Sequence, residues 1–402
     1  MDPLTDGFAE LTLQTRDLAA LERFSTDGFG LAVLARPRPG ARTRCASVCA
    51  THGASVRGPE TRDGGDRSLY VEDPEGNVVE VWDCFARGRA VDGLASTVCG
   101  VAAKRVEVEV EGRTLSLSNL DKVFYPATGF TKGQVIDYYT RIAPVLLPHL
   151  RGRHLTLKRY PNGVEGDYFY EKQCPGHRPD WVRTRGVYSR QNGREIDYCL
   201  AEDLATIVWL ANLADLELHT PLAYADAPKA PTMLAFDLDP GPPATIVECA
   251  EVACRLRDAF DHFGLVAFPK TSGSKGMQLY VPLNTPTTYD ATKPFAQGVA
   301  QVLERRHPDL VVSEMRKDLR AGKVLIDWSQ NDEHKTTVCV YSLRARDRPT
   351  VSTPVTWDEV EGLLGSRDPD DLAFTSDEVL ARVAEHGDGF APVLELEQEL
   401  PG

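Results

Sequence analysis

The chain has 402 residues and a formal net charge of −14, and its length predicts two or three folding units rather than one. Apolar residues make up 42% of the chain, which excludes wholesale disorder, and no run of about 18 apolar residues occurs, which excludes a transmembrane helix. The N-terminus lacks the basic and apolar regions of a secretory signal, so we expect a cytoplasmic protein without membrane association.

Residues 1–88 are predicted to form a separate N-terminal module. Residues 8–15 alternate in polarity like a strand, and Asp17 is a suitable N-cap for a short helix. Residues 68–82 contain two strand-like runs on either side of an Asp-Pro-Glu-Gly-Asn turn. Pro74 presets the backbone of this turn, and the Gly-Asn pair tolerates positive φ, so a hairpin is predicted.

This hairpin resembles the closing hairpin of the vicinal-oxygen-chelate (glyoxalase/bleomycin-resistance) superfamily. Members of that superfamily are built from βαβββ modules with metal ligands on inward-facing strand positions. Glu80 matches the terminal glutamate ligand, whereas Glu10 stands where a first-strand histidine is usual. The segment is also short for two modules, so the resemblance implies a shortened module used for packing or for binding a small ligand.

Residues 89–104 are mostly small and have no strong period, so we interpret them as a linker to a second domain at 105–402. Thr131 is the predicted N-cap of a helix with an apolar stripe. The stripe consists of Val135, Ile136, Tyr139, Ile142 and Leu146. Further helices are predicted at 202–213, 246–263, 288–305, 358–364 and 377–385. Strands are predicted at 106–110, 233–238, 276–282, 323–328 and 337–342.

Charge is distributed unevenly along the second domain. Residues 151–194 hold 10 Lys and Arg against 4 Asp and Glu, whereas residues 351–402 hold 13 acidic residues and 2 Arg. Because charges are screened beyond about 8 Å at physiological salt, local patches decide contacts. The basic segment permits nucleic-acid binding despite the negative total, and we interpret the acidic C-terminal part as a solvated face.

The nine cysteines are odd in number and have no regular spacing. A disulfide framework is therefore not expected. Reduced thiols also suit the cytosolic chain that the N-terminus predicts.

The segment 233–241 carries two carboxylates at strand spacing. Because side chains alternate along a strand, Asp237 and Asp239 share one face, while Phe236 and Leu238 enter the core. Two carboxylates about 4 Å apart repel by roughly 4 kcal/mol at an effective dielectric of about 20. A divalent cation is the natural compensation, and oxygen ligands favour magnesium or manganese. The alternative is a solvated Asp-x-Asp pair at a strand end.

A third carboxylate, Asp327, interrupts an apolar run of strand-forming residues at 323–328. An acid in such a run needs a partner, or its burial costs several kcal/mol. Three strand-borne aspartates suit a two-metal site for phosphoryl transfer. In such a site one metal activates the attacking oxygen and the other stabilises the leaving pyrophosphate.

Two further segments are suited to binding phosphate. Residues 270–278, KTSGSKGMQ, place glycines, hydroxyls and a lysine between two strands, where backbone N–H groups and a positive charge can cradle phosphate. This is not a Walker A loop, because the Gly-x4-Gly-Lys-Ser/Thr pattern is absent. Residues 341–346 supply Arg344 and Arg346 at strand spacing, which suits a triphosphate.

From about residue 105 to residue 390 the chain resembles the polymerase domain of bacterial ligase D. That domain belongs to the archaeo-eukaryotic primase superfamily and fills and extends DNA ends during non-homologous end joining. The resemblance implies that Asp237, Asp239 and Asp327 are the catalytic ligands of two Mg²⁺ or Mn²⁺ ions. It also implies that a group of residues binds the incoming nucleoside triphosphate. These residues are His219, Ser272, Lys275, Gln278, Arg320, Gln330, Arg344 and Arg346.

The same family recognises a 5′-phosphate on the downstream strand of a DNA gap. Asn119, Lys122 and Lys132 stand at the matching positions of this chain. Contact with phosphate by two lysines and an amide is physically ordinary. The resemblance therefore implies a preference for gaps and break ends with a 5′-phosphate.

Phe169 and Tyr170 match family aromatics that stack on template bases, an interaction worth about 1–3 kcal/mol per base. A half-buried strand is the alternative interpretation of this aromatic run. Lys158 and Arg159 lie in the same basic segment, and we expect them to contact template phosphates.

One position departs from the family pattern. Many members have a histidine six residues after the serine of the Ser-Gly loop, whereas this chain has Gln278 at that distance from Ser272. Glutamine can hydrogen-bond a phosphate, but it cannot carry a proton or a positive charge. The difference bears on catalytic strength more than on nucleotide binding.

The sequence therefore predicts an α+β protein with a primase-type catalytic core of mixed sheets flanked by helices, preceded by a βαβββ-like module. The expected function is template-dependent addition of nucleotides to DNA 3′ ends and gap filling in double-strand break repair. No Lys-x-Asp-Gly ligase motif occurs, so Ku and a separate DNA ligase are the expected partners. Two alternatives stay open: a DNA-end-binding module with weak or no polymerase activity, and a small-molecule-binding, glyoxalase-like protein.

Overall fold

The computed structural model describes residues 31–33, 48–50, 55–61, 67–72, 78–83, 105–189 and 193–401. The chain divides into two units, Met1–Cys99 and Gly100–Gly402. None of the helices in these described stretches is both long and apolar enough to cross a membrane.

The described part of the first unit consists of short strands. They are β1 (Leu31–Val33), β2 (Val48–Ala50), β3 (Ser55–Thr61), β4 (Arg67–Glu72) and β5 (Val78–Asp83). Strand β1 pairs with β2, and β3, β4 and β5 form an antiparallel meander. Tyr70 of β4 lies opposite Glu80 of β5, which confirms the two strands of the predicted hairpin. Glu10, the predicted strand at 8–15 and the helix after Asp17 lie outside the described residues.

The second unit alternates strands and helices along the chain. Its first half contains β6 (Arg105–Val110), β7 (Arg113–Ser118), β8 (Val123–Tyr125), β9 (Phe130–Thr131), α1 (Lys132–Leu150), β10 (Thr156–Arg159), β11 (Phe169–Glu171), β12 (Thr184–Ser189), β13 (Arg194–Cys199), α2 (Leu204–Asn212) and β14 (Asp215–Thr220). Its second half contains β15 (Met233–Pro240), α3 (Ile246–His262), β16 (Phe268–Thr271), β17 (Met277–Pro282), α4 (Tyr289–Arg306), β18 (Val311–Val312), β19 (Val324–Asp327), β20 (Thr337–Val338), α5 (Trp357–Ser366), α6 (Ser376–His386) and α7 (Pro392–Glu395).

Two sheets organise the second unit. The larger has the strand order β16-β17-β15-β19-β18 and is antiparallel except for the parallel pair β18–β19. The smaller has the order β11-β10-β14-β20 and is antiparallel throughout. The predicted strand at 337–342 is shorter than expected: β20 ends at Val338, and Tyr341 has a positive φ of 64° that turns the chain.

Helices α3 and α4 pack against the larger sheet. Phe236 and Leu238 of β15 are fully buried there, and the Phe236 ring lies 5.2 Å from the ring of Phe260 on α3. Mixed sheets with helices packed against them confirm the predicted α+β fold class. They also confirm that the faces of β15 divide into an apolar side and a side that carries Asp237 and Asp239.

Helix α1 begins at its predicted cap. The Thr131 side chain accepts a hydrogen bond from the Gln134 backbone, and the Gln134 side chain accepts one from the Thr131 N–H, which forms a complete capping box. The whole predicted apolar stripe is buried in the larger of the two hydrophobic clusters. The periodicity of the sequence therefore located both the start and the buried face of this helix.

The acidic C-terminal part is folded against the core, so its interpretation as a solvated face holds only for its outer side. Val360 and Leu363 of α5 are buried in one cluster and Val379 of α6 in the other. Glu359 and Glu378 complete capping boxes at the starts of these two helices. Acids in the first turn favour a helix, because they face the positive end of its dipole.

One disulfide corrects the expectation of reduced thiols throughout the chain. Cys174 and Cys199 are bonded, with their Cα atoms 5.0 Å apart. The Cys174 N–H donates to the Asp197 carbonyl at 2.6 Å, which holds the loop after β11 against the end of β13. This pairing depends on tertiary contact, which cysteine spacing does not reveal.

We predict that this disulfide stabilises the second unit by about 3 kcal/mol, because it closes a loop with a sequence separation of 25 residues. Urea unfolding with and without dithiothreitol measures the difference. The variant with both Cys174→Ala and Cys199→Ala is the control and should be insensitive to the reductant. Equal unfolding free energies of the wild type in the two conditions would contradict the prediction.

Candidate functional site

A row of polar side chains crosses the larger sheet. On β15, Asp237 lies opposite Asp327 of β19 on one side and opposite Gln278 of β17 on the other. Gln278 in turn lies opposite Lys270 of β16. Gln278 Nε2 donates to Asp237 Oδ1 at 3.1 Å, and Lys270 Nζ donates to Gln278 Oε1 at 2.5 Å. The structure thus joins two of the predicted metal ligands and adds Lys270, which sequence reasoning did not single out as a site residue.

The electrostatics of this row show uncompensated negative charge. Burial, together with the charges of Asp239 and Asp327, raises the pKa of Asp237 to about 7, although the hydrogen bond from Gln278 and the charge of Lys270 oppose the rise. A carboxyl whose pKa is raised in this way is short of a positive partner. A bound cation would supply that partner.

The donor chemistry of the row fits Mg²⁺ or Mn²⁺, since all three candidate ligands are carboxylates. Asp327 currently uses both of its oxygens within the protein. Its Oδ1 accepts from the Ser329 N–H at 2.9 Å and from Ser329 Oγ at 2.6 Å, and its Oδ2 accepts from Gln330 Nε2 at 2.9 Å. Within the described residues, no three His, Cys, Asp or Glu side chains converge into a ready metal cluster. To bind a metal ion, Asp327 would exchange hydrogen bonds at both of its oxygens, whereas Asp237 accepts a hydrogen bond from Gln278 at Oδ1.

The three aspartates Asp237, Asp239 and Asp327 are named the acidic row. A cavity of about 450 Å³ lies beside this row and is lined by Asp237 and Asp239. Most of the predicted nucleotide-binding residues also line it. They are His219, Ser272, Lys275, Gln278, Gln330 and Arg344. Arg320 and Arg346 are not among the lining residues, and Arg346 is exposed on the turn that follows Tyr341.

The Ser272 loop is fixed by its own hydrogen bonds. Ser272 Oγ accepts from the backbone N–H groups of Ser274 and Gly276, both at 3.2 Å. Gly273 has a φ of +66°, and a Cβ there would lie 2.5 Å from the backbone of Val351. Only glycine fits this position, because both the backbone conformation and the close approach exclude a side chain. The loop therefore presents Lys275 from a preformed turn.

Glu217 is a functional residue that sequence reasoning missed. Its side chain is 3% exposed, and its carboxylate contacts Lys158 Nζ and His219 Nε2, both at 3.2 Å. It also accepts from the Ala345 N–H at 3.1 Å and lies 3.4 Å from Arg344 Nε. The available signal was strand alternation, which puts Glu217 and His219 of β14 on one face. Glu217 thus joins residues of the nucleotide cavity to a residue of the predicted template surface.

The charges around Glu217 are mutually balanced. Burial alone would raise the pKa of Glu217, but the hydrogen bond with His219 and the charges of Arg344 and Lys158 hold it well below its usual range. Burial lowers the pKa of His219, and Arg344 and Lys158 add to this, while Glu217 opposes it. Glu217 is therefore ionised and His219 is neutral near pH 7.

The two predicted template aromatics project from opposite faces of the smaller sheet. On one face, Lys158 Nζ lies 4.5 Å from the centre of the Tyr168 ring and 5.6 Å from that of Tyr170. On the other, the Arg159 guanidinium lies 5.1 Å from the Phe169 ring centre, and Arg159 Nη1 pairs with Glu171 at 2.7 Å. Both predicted template cations are thus engaged within the protein, and they hold the rings in place.

All three rings of this run are well exposed, with 53% of Tyr168, 43% of Phe169 and 56% of Tyr170 accessible. The alternative of a half-buried strand therefore does not describe them. Exposed rings braced by cations provide flat surfaces on which bases can stack. Tyr168 belongs to this surface, although the sequence prediction named only Phe169 and Tyr170.

The predicted phosphate residues Asn119, Lys122 and Lys132 include two lysines whose charges interact, and this group is named the cationic hollow. Lys132 Nζ donates to the Ser118 carbonyl at 2.7 Å and to Asn212 Oδ1 at 2.8 Å, and Lys122 Nζ donates to the Pro161 carbonyl at 2.6 Å. Burial, together with the charges of Lys122 and Arg159, lowers the pKa of Lys132 to about 8. In the described part of the chain neither lysine forms an ion pair, so an anion is the missing counter-charge. Asn119 begins this segment with a positive φ of 57°.

Comparison with known proteins places this geometry in a family. The model of the LigD primase-polymerase domain matches residues 131–390. The chain belongs to this family. The multifunctional non-homologous end joining protein LigD of Mycolicibacterium smegmatis is 45% identical over 279 residues, 69% of this chain and 36% of that protein. The bifunctional non-homologous end joining protein LigD of Bacillus subtilis is 32% identical over 288 residues, 71% of this chain and 45% of that protein.

A solved structure supports the assignment. The polymerase domain of Mycobacterium tuberculosis ligase D in complex with DNA matches with a TM-score of 0.65 and 41% identity, over 71% of this chain and 99% of that one. The predicted resemblance and fold class are confirmed, and with them the enzyme class, nucleotidyltransferases of the archaeo-eukaryotic primase superfamily. The chain spans 36% and 45% of the length of the two LigD proteins named above.

We predict that Glu217→Gln weakens nucleotide binding at least tenfold and lowers the unfolding free energy by about 2 kcal/mol, because two partly buried cations, Lys158 and Arg344, lose their carboxylate. Equilibrium binding of a fluorescent nucleoside triphosphate and urea unfolding measure the two effects. The matched control is Glu171→Gln, which removes the partner of Arg159 on the opposite face of the sheet and should leave nucleotide affinity unchanged. Wild-type affinity in Glu217→Gln would show that the carboxylate does not position the cavity.

Proposed function

We propose that the protein is a template-dependent primase-polymerase that adds nucleotides to DNA 3′ ends and fills gaps during double-strand break repair by non-homologous end joining. The observation that carries the proposal is the row of carboxylates beside a cavity whose walls carry Lys275 and Arg344. Acids on one wall and cations on the others suit a nucleoside triphosphate held for attack at its α-phosphorus.

The protein's own residues supply binding and orientation in this scheme. Lys275 and Arg344, which line the cavity, are proposed to bind the triphosphate. Arg320 and Arg346 do not line the cavity, and they are proposed to contact the part of the triphosphate that extends beyond it. Neutral His219 donates from Nε2 to Glu217, which leaves Nδ1 to accept a hydrogen bond from a hydroxyl of the nucleotide. Its ring centre lies 6.0 Å from that of Tyr170 at the cavity edge. Two Mg²⁺ or Mn²⁺ ions held by Asp237, Asp239 and Asp327 would supply charge stabilisation for the phosphoryl group in transfer. The row positions these ligands before the nucleotide arrives.

The DNA contacts follow from the second sheet and the cationic hollow. Tyr170 and Phe169 are proposed to stack on template bases, with Lys158 and Arg159 bracing them and adding positive charge for template phosphates. Asn119, Lys122 and Lys132 are proposed to bind the 5′-phosphate of the downstream strand. Gapped DNA and break ends with a 5′-phosphate are therefore the proposed substrates.

The proposed partners are Ku and a DNA ligase, and the proposed location is the cytoplasm. The relatives named above carry non-homologous end joining in their names, and this is what supports Ku and a ligase as partners. For residues 1–88 the proposal is a shortened vicinal-oxygen-chelate-like module joined through residues 89–104, and its role is recruitment or small-ligand binding.

A DNA-end-binding module with weak activity is the second candidate, since Gln278 stands where many members have histidine. Primer extension on gapped DNA with Mn²⁺ and each nucleotide set separates the two candidates. Extension supports the polymerase. Tight binding to the gap without extension supports the binding module.

We predict that Asp239→Ala abolishes nucleotide addition and leaves binding to gapped DNA within about threefold, because Asp239 lies on the open face of β15 and not on its packed face. Primer extension and fluorescence anisotropy measure the two quantities. Asp258→Ala, an exposed aspartate on α3, is the matched control and should extend primers like the wild type. Extension by Asp239→Ala within a factor of two of the wild type would contradict the metal assignment.

We predict that Lys122→Ala together with Lys132→Ala removes the preference for gaps with a 5′-phosphate. The ratio of dissociation constants for gaps with and without the phosphate measures this preference. Lys229→Ala, an exposed lysine outside the hollow, should keep the wild-type ratio. An unchanged ratio in the double variant would rule the hollow out as the phosphate site.

The same ratio should depend on pH in the wild type. The pKa of Lys132 is lowered to about 8, so its positive charge is present below that pH and is lost as the pH rises through it. The phosphate monoester stays doubly charged over this range, since its second pKa is about 6. The preference should therefore fall from pH 7 to pH 9, and Lys132→Arg, which stays charged, should remove that fall.

A further inference from the structure

Lys270 is a buried lysine that the proposed mechanism does not use, and burial lowers the pKa of its ammonium group to about 7. Its side chain is 1% exposed, and Nζ donates to Gln278 Oε1 at 2.5 Å, to Ser352 Oγ at 2.6 Å and to the Val338 carbonyl at 3.2 Å. Ser352 Oγ donates its own proton to the Thr271 carbonyl at 3.0 Å, so it accepts from Nζ. All three partners are acceptors, and three N–H groups are needed to satisfy them.

Lys270 decides which end of the Gln278 amide faces the acidic row. The amide oxygen lies against Nζ, and the amide nitrogen donates to Asp237 Oδ1 at 3.1 Å. If the amide were rotated by 180°, its N–H group would face the N–H groups of Lys270, and its oxygen would face the Asp237 carboxylate. Neither contact would then be a hydrogen bond. In its charged form, which the three acceptors around Nζ favour, Lys270 therefore allows only the orientation in which an N–H points at Asp237.

Packing alone does not account for a lysine here. Among the described residues no carboxylate forms an ion pair with Lys270, whereas buried charges in proteins are usually paired. A methionine of similar length would fill the same space without the cost of burying a charge. The fixed hydrogen bond to Gln278 is what lysine adds.

We propose that Lys270 is a positioning residue of the acidic row: it fixes the Gln278 amide, and the amide holds Asp237 in the orientation that binds the divalent cation. This inference rests on the proposed function. It gives a role to Gln278, which stands where many family members have a histidine. Lys270 on β16 fixes the Gln278 amide on β17, and the amide donates a hydrogen bond to Asp237 on β15. Lys270 itself touches neither nucleotide nor metal.

The test measures Mn²⁺ binding to the full chain without DNA or nucleotide, by electron paramagnetic resonance of the free ion. Lys270→Met should weaken Mn²⁺ binding at least tenfold. Ser352→Ala removes one partner of Nζ and leaves the contact with Gln278, so it should stay within twofold of the wild type. Circular dichroism verifies the fold. If Lys270→Met does not fold, Lys270→Gln takes its place with the same expected loss.

A double variant separates positioning from a general structural effect. Because Lys270 acts through Gln278, Lys270→Met combined with Gln278→Met should bind Mn²⁺ no more weakly than Gln278→Met alone. Wild-type Mn²⁺ affinity in a folded Lys270 variant, or additive losses in the double variant, would overturn the inference. Absence of Mn²⁺ binding in the wild type, or its persistence in Asp237→Asn, would instead count against the proposed function.

Discussion

The antiparallel register of β15 between β17 and β19 is the constraint on which the site depends. It places Asp237 opposite Gln278 on one side and opposite Asp327 on the other. A slip of one residue would turn the aspartates into the core and bring Phe236 and Leu238 to the cavity. Burial of each of these apolar side chains contributes roughly 2 kcal/mol, and the same register imposes the repulsion between the carboxylates. Packing of Phe236 and Leu238 in the core therefore keeps the carboxylates of Asp237 and Asp327 close together despite their repulsion.

The smaller sheet separates two sites for anions. On one face, Lys158 and Tyr170 lie near Glu217 and the nucleotide cavity. On the other, Arg159 and Phe169 lie toward the cationic hollow, since the charge of Arg159 lowers the pKa of Lys132. Consecutive residues of one short strand thus face different proposed sites. Strand alternation is what allows a single basic segment to supply both.

Local patterns in the sequence predicted the parts of the structure that regular elements determine. The alternation of β15 gave the face of Asp237, and the capping box at Thr131 gave the start of α1. The prediction of strand spacing at Arg344 and Arg346 was wrong, because the Arg346 N–H donates to the Arg344 carbonyl at 3.0 Å and the chain turns between the two residues.

The residues that were missed depend on partners far along the chain. Lys270 donates to Ser352, and Glu217 contacts Arg344 and Lys158. These partners lie far away in the sequence, so the residues next to Lys270 or Glu217 do not reveal their roles. The disulfide between Cys174 and Cys199 is of the same kind. Most residues that line the cavity were named through the family resemblance, whereas the residues that hold those side chains in place needed the tertiary structure.

The two anion sites differ in how their positive charge is balanced. In the nucleotide cavity, Glu217 already neutralises part of the charge of Arg344, and the aspartate row opposes a triphosphate. Affinity for the nucleotide must therefore come from geometry and from a bound cation, which is the condition for selecting a metal-complexed triphosphate. In the hollow, Lys122 and Lys132 repel one another, and a phosphate relieves that repulsion directly. Under the proposed function, the cavity would therefore discriminate among triphosphates, and the hollow would hold a terminal phosphate by charge, in a chain whose net charge is −14.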